Sequence, residues 1–196
     1  MKPNYHFEEE YWQQGKVVVG VDEVGVGPLA GPVVAAAVIL PTRHRIGTLQ
    51  DSKKLSEAAR EKIDAKIREL AVNFGIGMAT VAEIEGIGIR QATFLAMKRA
   101  LEQITAPYDV ILVDGYEIPH APKTCVAIIK GDSKSRSIAA ASIIAKVFRD
   151  RYMTELHKEI PEYNFKRHKG YGTKEHQEAI KKWGKSMHHR TSFIHL

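Results

Sequence analysis

A turn rich in glycine and proline, set between two apolar runs, restricts the fold of this chain most strongly. It lies in residues 17–40, VVVGVDEVGVGPLAGPVVAAAVIL. The flanking runs are short and rich in valine, which predicts two neighbouring buried strands in a hairpin-like pair. Asp22 and Glu23 stand where the first run ends. The sequence therefore predicts two carboxylates beside each other at the end of a buried strand.

The rest of the chain alternates between short apolar runs and longer segments with helical spacing. Three further strands are predicted over residues 74–81, 108–114 and 124–130. Four helices are predicted over residues 55–70, 89–104, 133–160 and 172–184. Ser56 is the expected N-cap of the first of these helices. Together these elements predict an α/β fold with a mixed central sheet flanked by helices.

The net charge of +6 is unevenly distributed. Residues 166–196 carry 8 of the 29 basic and 2 of the 23 acidic residues, so they account for the whole +6 and residues 1–165 are neutral. We therefore expect a body, residues 1–165, and a small basic C-terminal helical region, residues 166–196, packed on it. A basic surface favours a polyanionic partner such as nucleic acid. A solvated basic helix without a partner has the same composition.

Cysteine content and hydropathy indicate the compartment. Cys125 is the only cysteine, which excludes an internal disulfide and fits a reducing environment. Its apolar surroundings, TCVAII, predict a buried thiol rather than a nucleophile. The N-terminus lacks the apolar core of a signal peptide, and no apolar run reaches the length of a membrane span. We expect a cytoplasmic monomer with no membrane partner.

Acidic residues also follow two of the other predicted strands. Asp114 ends the strand YDVILVD, and Asp132 follows CVAIIKG. Because α/β folds place their chemistry at strand ends, these two residues are expected to converge with Asp22 and Glu23. Neighbouring residues on a regular strand point to opposite faces, so Asp22 and Glu23 share a site only if the strand ends or twists there.

Four carboxylates in one place repel one another unless cations neutralise them. A donor set made only of oxygen suits Mg²⁺ or Mn²⁺ rather than zinc. Two such ions close together favour cleavage of phosphodiesters. Each acid taken alone is also compatible with an ordinary role in a turn, at a helix cap or on the surface.

Several motifs together resemble the ribonuclease HII family: VGVDEVGVGPLAGPVVAAAVIL, DSKKL, ILVDG, KGDSKSRSIAAASIIAKVFRD and HKGYGTKEH. The resemblance covers nearly the whole chain, from about residue 17 to residue 193. It implies that residues 1–165 form a catalytic domain with a ribonuclease H-like fold. It also implies hydrolysis of the RNA strand of RNA/DNA hybrids and nicking of duplex DNA on the 5′ side of an embedded ribonucleotide. The implied product ends are a 5′-phosphate and a 3′-hydroxyl.

By motif, the resemblance implies four acids that are both catalytic and metal-binding: Asp22, Glu23, Asp114 and Asp132. They would hold two Mg²⁺ or Mn²⁺ ions in each active site. Asp150, on the third predicted helix, is not one of the family's four and is interpreted as structural or supporting. The implied reaction is an in-line attack of water on phosphorus, without a protein nucleophile.

The resemblance also implies substrate contacts. Gly25 and Gly27 would let the main chain approach a ribose closely enough to reach its 2′-hydroxyl. Tyr171, in HKGYGT, matches the family tyrosine that stacks on the deoxyribose next to the ribonucleotide. The remaining candidate contacts are Ser52, Lys53 and Lys54 in DSKKL, together with Lys169. The lysines would meet phosphates, which position a duplex without reading its sequence.

One position departs from the family pattern. The loop that is Gly-Arg-Gly in the family is Gly25-Val26-Gly27 here. Loss of the arginine predicts hybrid cleavage with weak incision at single ribonucleotides, as in the related ribonuclease HIII. That family usually carries an N-terminal extension, for which Asp22 comes too early.

Three other interpretations stay open. A junction resolvase of the same superfold would need the acids and the metal but not the glycine loop and Tyr171. A binding module without catalysis would have no need of four acids. The segment SFIHL is a weak candidate for a contact with a sliding clamp.

Overall fold

The computed structural model describes residues 3–42 and 56–195, and its centre is a five-stranded mixed sheet. The strands are β1 (Val18–Val24), β2 (Val33–Ile39), β3 (Asn73–Ala79), β4 (Val110–Asp114) and β5 (Thr124–Ile128). Their order across the sheet is β3-β2-β1-β4-β5. β2 is antiparallel to both β1 and β3, whereas β4 is parallel to both β1 and β5. All five predicted strands and the hairpin-like pairing of the first two are confirmed.

Helices cover both faces of the sheet. They are α1 (His6–Trp12), α2 (Glu57–Leu70), α3 (Val81–Ile87), α4 (Ile89–Glu102), α5 (Arg136–Glu159), α6 (Phe165–His168) and α7 (Lys174–Trp183). Alternate residues of β2 pack against α4 on one face and α5 on the other. β2 therefore has no polar face, which explains its unbroken apolar sequence.

Glycine allows both covering helices to approach the sheet closely. A Cβ atom at Gly20 on β1 would lie 2.2 Å from the carbonyl carbon of Ser137 on α5. A Cβ atom at Gly77 on β3 would lie 2.1 Å from the carbonyl oxygen of Ala96 on α4. Glycine at these two positions therefore lets α5 lie directly over β1 and α4 over β3.

Helix caps account for most of the differences from the predicted bounds. Ser56 caps α2 as predicted, and its Oγ accepts a hydrogen bond from the amide of Ala59. Thr80 and Glu83 form a capping box that starts α3, so β3 ends at Ala79 and not at residue 81. α5 begins at Arg136 because residues 131–133 form a 3₁₀ turn before it.

The short helix α1, which the sequence did not predict, is tied to α5 through Glu8. This side chain is fully buried. Its Oε1 accepts hydrogen bonds from Oγ of Ser135 over 2.6 Å and from the amide of Ser137 over 2.8 Å. A carboxylate at the N-terminus of a helix satisfies free amides and interacts favourably with the helix dipole. Glu8 therefore stabilises the start of α5.

The C-terminal elements pack on the second half of α5 and on the turn between β1 and β2. Their apolar cluster consists of Ala30, Met153, Leu156, Tyr163, Phe165, Ile180 and Ile194. The expected boundary after residue 165 falls inside α6. The division into a body and a basic region remains a prediction.

Within the described part of the chain, none of the helices combines the length and the apolar character that crossing a bilayer requires.

Candidate active site

Three aspartates meet from the last part of β1, the end of β4 and the turn after β5. In the parallel pairing of β1 with β4, Val21 lies opposite Val113, so Asp22 and Asp114 are next to each other across the two strands. Asp132 reaches the same edge through the 3₁₀ turn that follows β5. Each of the three aspartates has a carboxylate oxygen within 4.8 Å of one from each of the others. The parallel register therefore creates an acidic cluster from residues far apart in sequence.

Hydrogen bonds orient two of these carboxylates. The amide of Glu23 donates to Oδ1 of Asp22 over 2.7 Å. The amide of Gly131 donates to Oδ1 of Asp114 over 2.6 Å. Ser142, on α5, also hydrogen-bonds to Asp22. The oxygens of the acidic cluster are thus held by the protein itself.

The electrostatics of the acidic cluster favour a bound cation. Burial raises the pKa of Asp22 well above its usual range, and the charges of Glu23 and Asp114 raise it further. In the absence of a cation, burial and the neighbouring charges therefore disfavour the ionised form of Asp22. A set of carboxylate oxygens suits a hard divalent ion such as Mg²⁺ or Mn²⁺. Asp22, Asp114 and Asp132 fit such a site by both their spacing and their chemistry.

Glu23 lies beside the acidic cluster but is not one of the three residues within 4.8 Å. β1 continues to Val24, so the expectation that the strand ends at the acidic pair is wrong. Glu23 and Asp114 both line a cavity of about 150 Å³ that also contains Asp22 and Tyr171. They line a second, mostly apolar cavity of about 300 Å³ as well. Glu23 therefore faces the same opening although it does not share the trio's spacing.

Lys146, which the sequence analysis did not single out, lines the smaller cavity together with Ser142. Ser142, Lys146 and Asp150 are spaced four residues apart and thus share one face of α5. Nζ of Lys146 lies 2.6 Å from Oδ1 of Asp150, whose other oxygen lies 3.5 Å from Arg60. Asp150 therefore pairs with cations on the helix side of the site, and it is not part of the acidic cluster.

Arg149 lies against the first residue of the glycine loop, residues 25–27, and bonds to the main chain beyond it. Gly25 has a φ of +91°, in the left-handed region that favours glycine, and a Cβ there would lie 2.3 Å from Nε of Arg149. This arginine is fully buried. It donates to the carbonyl oxygens of Pro32, Lys169 and Ala30 over 2.9, 2.9 and 3.0 Å. Gly27 differs, because nothing lies within 4 Å of where its Cβ would be.

Arg190 fastens the same loop from the C-terminal side. It too is fully buried. Its guanidinium donates to the carbonyl oxygens of Gly25 over 2.6 Å, of Val26 over 2.9 Å and of Gly31 over 2.7 and 2.9 Å. Burial lowers the pKa of Arg149 to about 10 and that of Arg190 to about 9. Both values leave the guanidinium groups charged at neutral pH.

The side chain of Val26 is 39% exposed and lines the apolar cavity with Ile89 and Phe94. Tyr171 is 43% exposed and lines the smaller cavity with the acids. The structure therefore brings the predicted loop and the predicted tyrosine to the same region as the acidic cluster.

Lys169 contacts other groups of the protein through its ammonium. Its side chain is buried, with Nζ 2.8 Å from Oγ1 of Thr154 and 3.8 Å from Oε1 of Glu57. These contacts use its charge within the protein, and a phosphate contact by Lys169 remains a prediction. Ser52, Lys53 and Lys54 lie outside the described residues.

Sequence reasoning did not identify Lys146 and Arg190, and only Lys146 had a pattern that could have indicated it. The i, i+4 spacing of Ser142 and Lys146 on a helix whose other face is apolar could have indicated Lys146. Arg190 had no such signal, because in sequence it is one more cation in a basic region.

The comparisons with known proteins agree with this geometry. A sequence model of the family described as ribonuclease HII matches residues 19–196. The chain is 50% identical over 189 residues to a ribonuclease HII from Caldanaerobacter subterraneus subsp. tengcongensis, covering 96% of this chain and 78% of that protein. It is 48% identical over 191 residues to one from Caldicellulosiruptor bescii, covering 97% and 93%. The crystal structure of ribonuclease H2 from Pyrococcus horikoshii matches with a TM-score of 0.76 and 26% identity, covering 90% and 93%.

Proposed function

The chain belongs to the ribonuclease HII family and is a ribonuclease H, and from this we propose that it is a metal-dependent endonuclease with two substrates. It hydrolyses the RNA strand of RNA/DNA hybrids, and it nicks duplex DNA on the 5′ side of an embedded ribonucleotide. The observation that carries the proposal is the cluster of three aspartates within 4.8 Å at the end of parallel strands.

Asp22, Asp114 and Asp132 would hold two Mg²⁺ or Mn²⁺ ions together with Glu23, which lines the same cavity. When bound, such ions supply positive charge that favours the attack of water and stabilises the leaving oxygen. Water attacks the phosphorus, the bond to the 3′-oxygen breaks, and the products carry a 5′-phosphate and a 3′-hydroxyl. The amides of Glu23 and Gly131 keep the carboxylates of Asp22 and Asp114 oriented during the reaction.

Recognition of the ribose is assigned to the loop of residues 25–27 and to Tyr171. Open space around Gly27 supports a close approach of the main chain to a sugar. A 2′-hydroxyl both donates and accepts hydrogen bonds, so main-chain groups suffice to distinguish it from hydrogen. The exposed ring of Tyr171, in the same cavity as the acids, supports stacking on the neighbouring deoxyribose.

A ribonuclease HIII-like preference is the second candidate. Val26 brings an apolar side chain to the cavity where the family has an arginine, and an apolar group makes no charge-assisted bond to a phosphate. In this alternative the enzyme cleaves hybrids well and incises single ribonucleotides weakly.

Partners and compartment complete the proposal. The enzyme would act as a cytoplasmic monomer, with nucleic acid as its partner. Cys125 is half-buried, and burial raises the pKa of its thiol, which supports an unreactive cysteine. The clamp contact through SFIHL remains a prediction. Phe193, within this segment, packs against the guanidinium of Arg190 at 5.3 Å.

The proposal is tested by cleavage of two labelled substrates, a DNA duplex with one ribonucleotide and an RNA/DNA hybrid, each with Mg²⁺ and with Mn²⁺. An all-DNA duplex is the control. We expect the duplex with one ribonucleotide and the hybrid to be cleaved and the all-DNA duplex to stay intact. The duplex should be nicked on the 5′ side of the ribonucleotide, leaving a 3′-hydroxyl end. Cleavage of the hybrid alone would support the ribonuclease HIII-like alternative. Cleavage of neither, or activity in EDTA equal to that with metal, would overturn the proposal.

A further inference from the structure

Tyr171 and the loop of residues 25–27 are at least 144 residues apart in sequence. In the proposed function they contact neighbouring sugars of one strand, so the distance between them must stay constant. The segment of residues 188–190 lies between the two. The amide of Gly31 donates to the carbonyl oxygen of His188 over 2.9 Å, and the amide of Arg190 donates to that of Leu29 over 2.8 Å. The Arg190 side chain then holds the loop carbonyls. This segment is thus fixed to the loop.

The same segment reaches Tyr171 through two buried imidazoles. Nε2 of His189 lies 3.1 Å from Nε2 of His176. On the other side of that ring, Nδ1 of His176 lies 2.9 Å from the carbonyl oxygen of Tyr171. Both histidines are buried, at 3% and 0% exposure. An uninterrupted set of hydrogen bonds therefore joins His189 to the main chain of Tyr171.

Only one arrangement of protons satisfies these contacts. The amide of Ser186 donates to Nδ1 of His189 over 2.9 Å, so this nitrogen carries no proton and Nε2 carries it. His189 therefore donates to Nε2 of His176, which leaves Nδ1 of His176 protonated and able to donate to Tyr171. Each ring must be neutral. A second proton on His176 would place two hydrogens in the contact between the rings, and a second proton on His189 would face the amide hydrogen of Ser186.

The surroundings keep both rings neutral. Burial is the main reason that the pKa values of His176 and His189 are lowered to about 4. The charge of His168 contributes to the lowering at His176, and that of His176 contributes at His189. His168 stacks on His176 with ring centroids 4.3 Å apart. Phe165 contacts the rings of both His176 and His189 edge-on or tilted. The packing thus prevents the rings from rotating away from their partners.

We propose that His176, oriented by His189, is a positioning residue that holds Tyr171 at a fixed distance from the loop of residues 25–27 and thereby sets the enzyme's selectivity for a single ribonucleotide. This inference rests on the proposed function of Tyr171. His176 acts through the main chain of Tyr171 and touches no reacting atom. A displacement of about 1 Å in a positioning group is enough to lower a rate severely.

Two substitutions of similar size separate positioning from simple packing. In His176→Asn, the amide nitrogen lies where Nδ1 was and still donates to Tyr171. In His176→Gln, the amide reaches the position of Nε2, so the contact with His189 is kept and the bond to Tyr171 is lost. Gln177→Ala is the matched control on the same helix, because it removes an exposed bond to the carbonyl oxygen of Gly172.

The measurements are kcat/KM on a duplex with one ribonucleotide and on an RNA/DNA hybrid, together with the melting temperature. We expect His176→Gln to lose about tenfold or more on the single ribonucleotide and about threefold or less on the hybrid. His176→Asn keeps the bond to Tyr171 but loses the contact with His189, so it should show the same selective loss on the single ribonucleotide, and Gln177→Ala should match the parent. Losses of equal size on the two substrates, in proportion to the fall in melting temperature, would overturn the positioning role.

A double-mutant cycle adds an independent readout. If His176 acts through Tyr171, adding His176→Gln to Tyr171→Ala should cause no further loss on the single-ribonucleotide duplex. Additive losses would mean that His176 acts elsewhere and would overturn the inference. If the parent enzyme did not nick this substrate, the proposed nicking activity itself would be overturned. If the parent nicked it but the variants behaved otherwise than expected, only the positioning role of His176 would be overturned.

Discussion

Two groups of side chains of opposite charge lie at β1 and at the turn after it, and their contacts with the protein differ. Arg149 and Arg190 donate three and four hydrogen bonds to carbonyl oxygens, and these bonds fasten the turn between β1 and β2. In the acidic cluster, the carboxylates of Asp22, Asp114 and Asp132 face one another instead. The positive charges of the arginines hold the turn in place, whereas the like charges brought together in the acidic cluster favour a bound cation.

The largest effect should come from removing one charge of the acidic cluster. We expect Asp22→Asn to lower cleavage by roughly a thousandfold or more, since a metal ion contributes several kcal/mol to a transition state. Measured without metal at neutral pH, its melting temperature should equal or exceed that of the parent, because a buried repulsion has been removed. Kinetics and thermal unfolding of the same preparation check both parts.

Asp64→Asn is the control for this prediction. Asp64 is as buried as Asp22 but lies 2.9 Å from Arg68, which neutralises it. This variant should lose stability and keep most of its activity. If Asp22→Asn were to cleave at the parent's rate, the acidic cluster would not be the catalytic centre.

Replacing a buried arginine should lower stability, whereas Asp22→Asn should not. Arg190→Met leaves the carbonyl oxygens of Gly25, Val26 and Gly31 without their donor, and each buried unsatisfied group costs about 1–3 kcal/mol. We expect a loss of roughly 3 kcal/mol or more in the free energy of unfolding, measured by urea denaturation.

Arg151→Met is its surface counterpart. Arg151 is 56% exposed and pairs with Glu61, and exposed ion pairs contribute only about 0–1 kcal/mol. A comparable loss in both variants would mean that the buried hydrogen bonds of Arg190 contribute no more than a surface pair, and the contrast would fail.

Acidic pH should move the two regions in opposite directions. His176 and His189 have folded-state pKa values of about 4, below the usual 6.5, so the unfolded chain binds more protons and stability falls as the pH drops from about 6.5 to about 4. For Asp22 the pKa is raised, so in the absence of metal the folded state binds more protons and this group adds stability as the pH falls. The neighbouring imidazoles His168 and His188 also face the histidine pair.

Variants separate these contributions. Urea denaturation of metal-free protein between pH 4 and pH 7 should give a shallower decline for His176→Asn and a steeper one for Asp22→Asn than for the parent. Identical slopes in all three proteins would contradict both assignments.

The smallest effect is expected at Val26. Its carbonyl belongs to the Arg190 contacts, but its side chain is partly exposed, so Val26→Arg should leave stability unchanged. We expect a gain of a few-fold in nicking at a single ribonucleotide, since a solvent-exposed charge contact contributes only about 0–1 kcal/mol. Val26→Leu is the control. No gain with arginine would remove Val26 as the cause of any weak incision.

The five strands were predictable from local pattern, and the acidic cluster was predictable from the position of each aspartate relative to a strand. Apolar runs bounded by turn residues identified the sheet, and acids at the ends of strands pointed to its edge. Glu23 shows the limit of this reasoning. β1 continues to Val24, and Glu23 lines the same cavity as Asp22 without being one of the three closely spaced aspartates, so its part in metal binding remains a prediction.

Burial of charge was not predictable from composition. Lys169 and Arg190 were counted among the cations of a basic region, yet both are buried and use their charge inside the protein. Their partners, Thr154 and the carbonyls of residues 25–31, come from distant parts of the chain. A count along the sequence cannot distinguish such a cation from a solvated one, because the difference arises only when the C-terminal elements pack on α5.

The bond between Arg190 and Gly25 also sets an order of events during synthesis. The two residues are separated by 165 positions, so on a ribosome that adds about 5–20 residues per second they are made roughly 8–30 seconds apart. Every member of the acidic cluster is already present by residue 132. In a nascent chain the three aspartates are therefore present well before Arg190 can bond to the turn beside them. The turn reaches its final set of hydrogen bonds only after the C-terminal segment has been made.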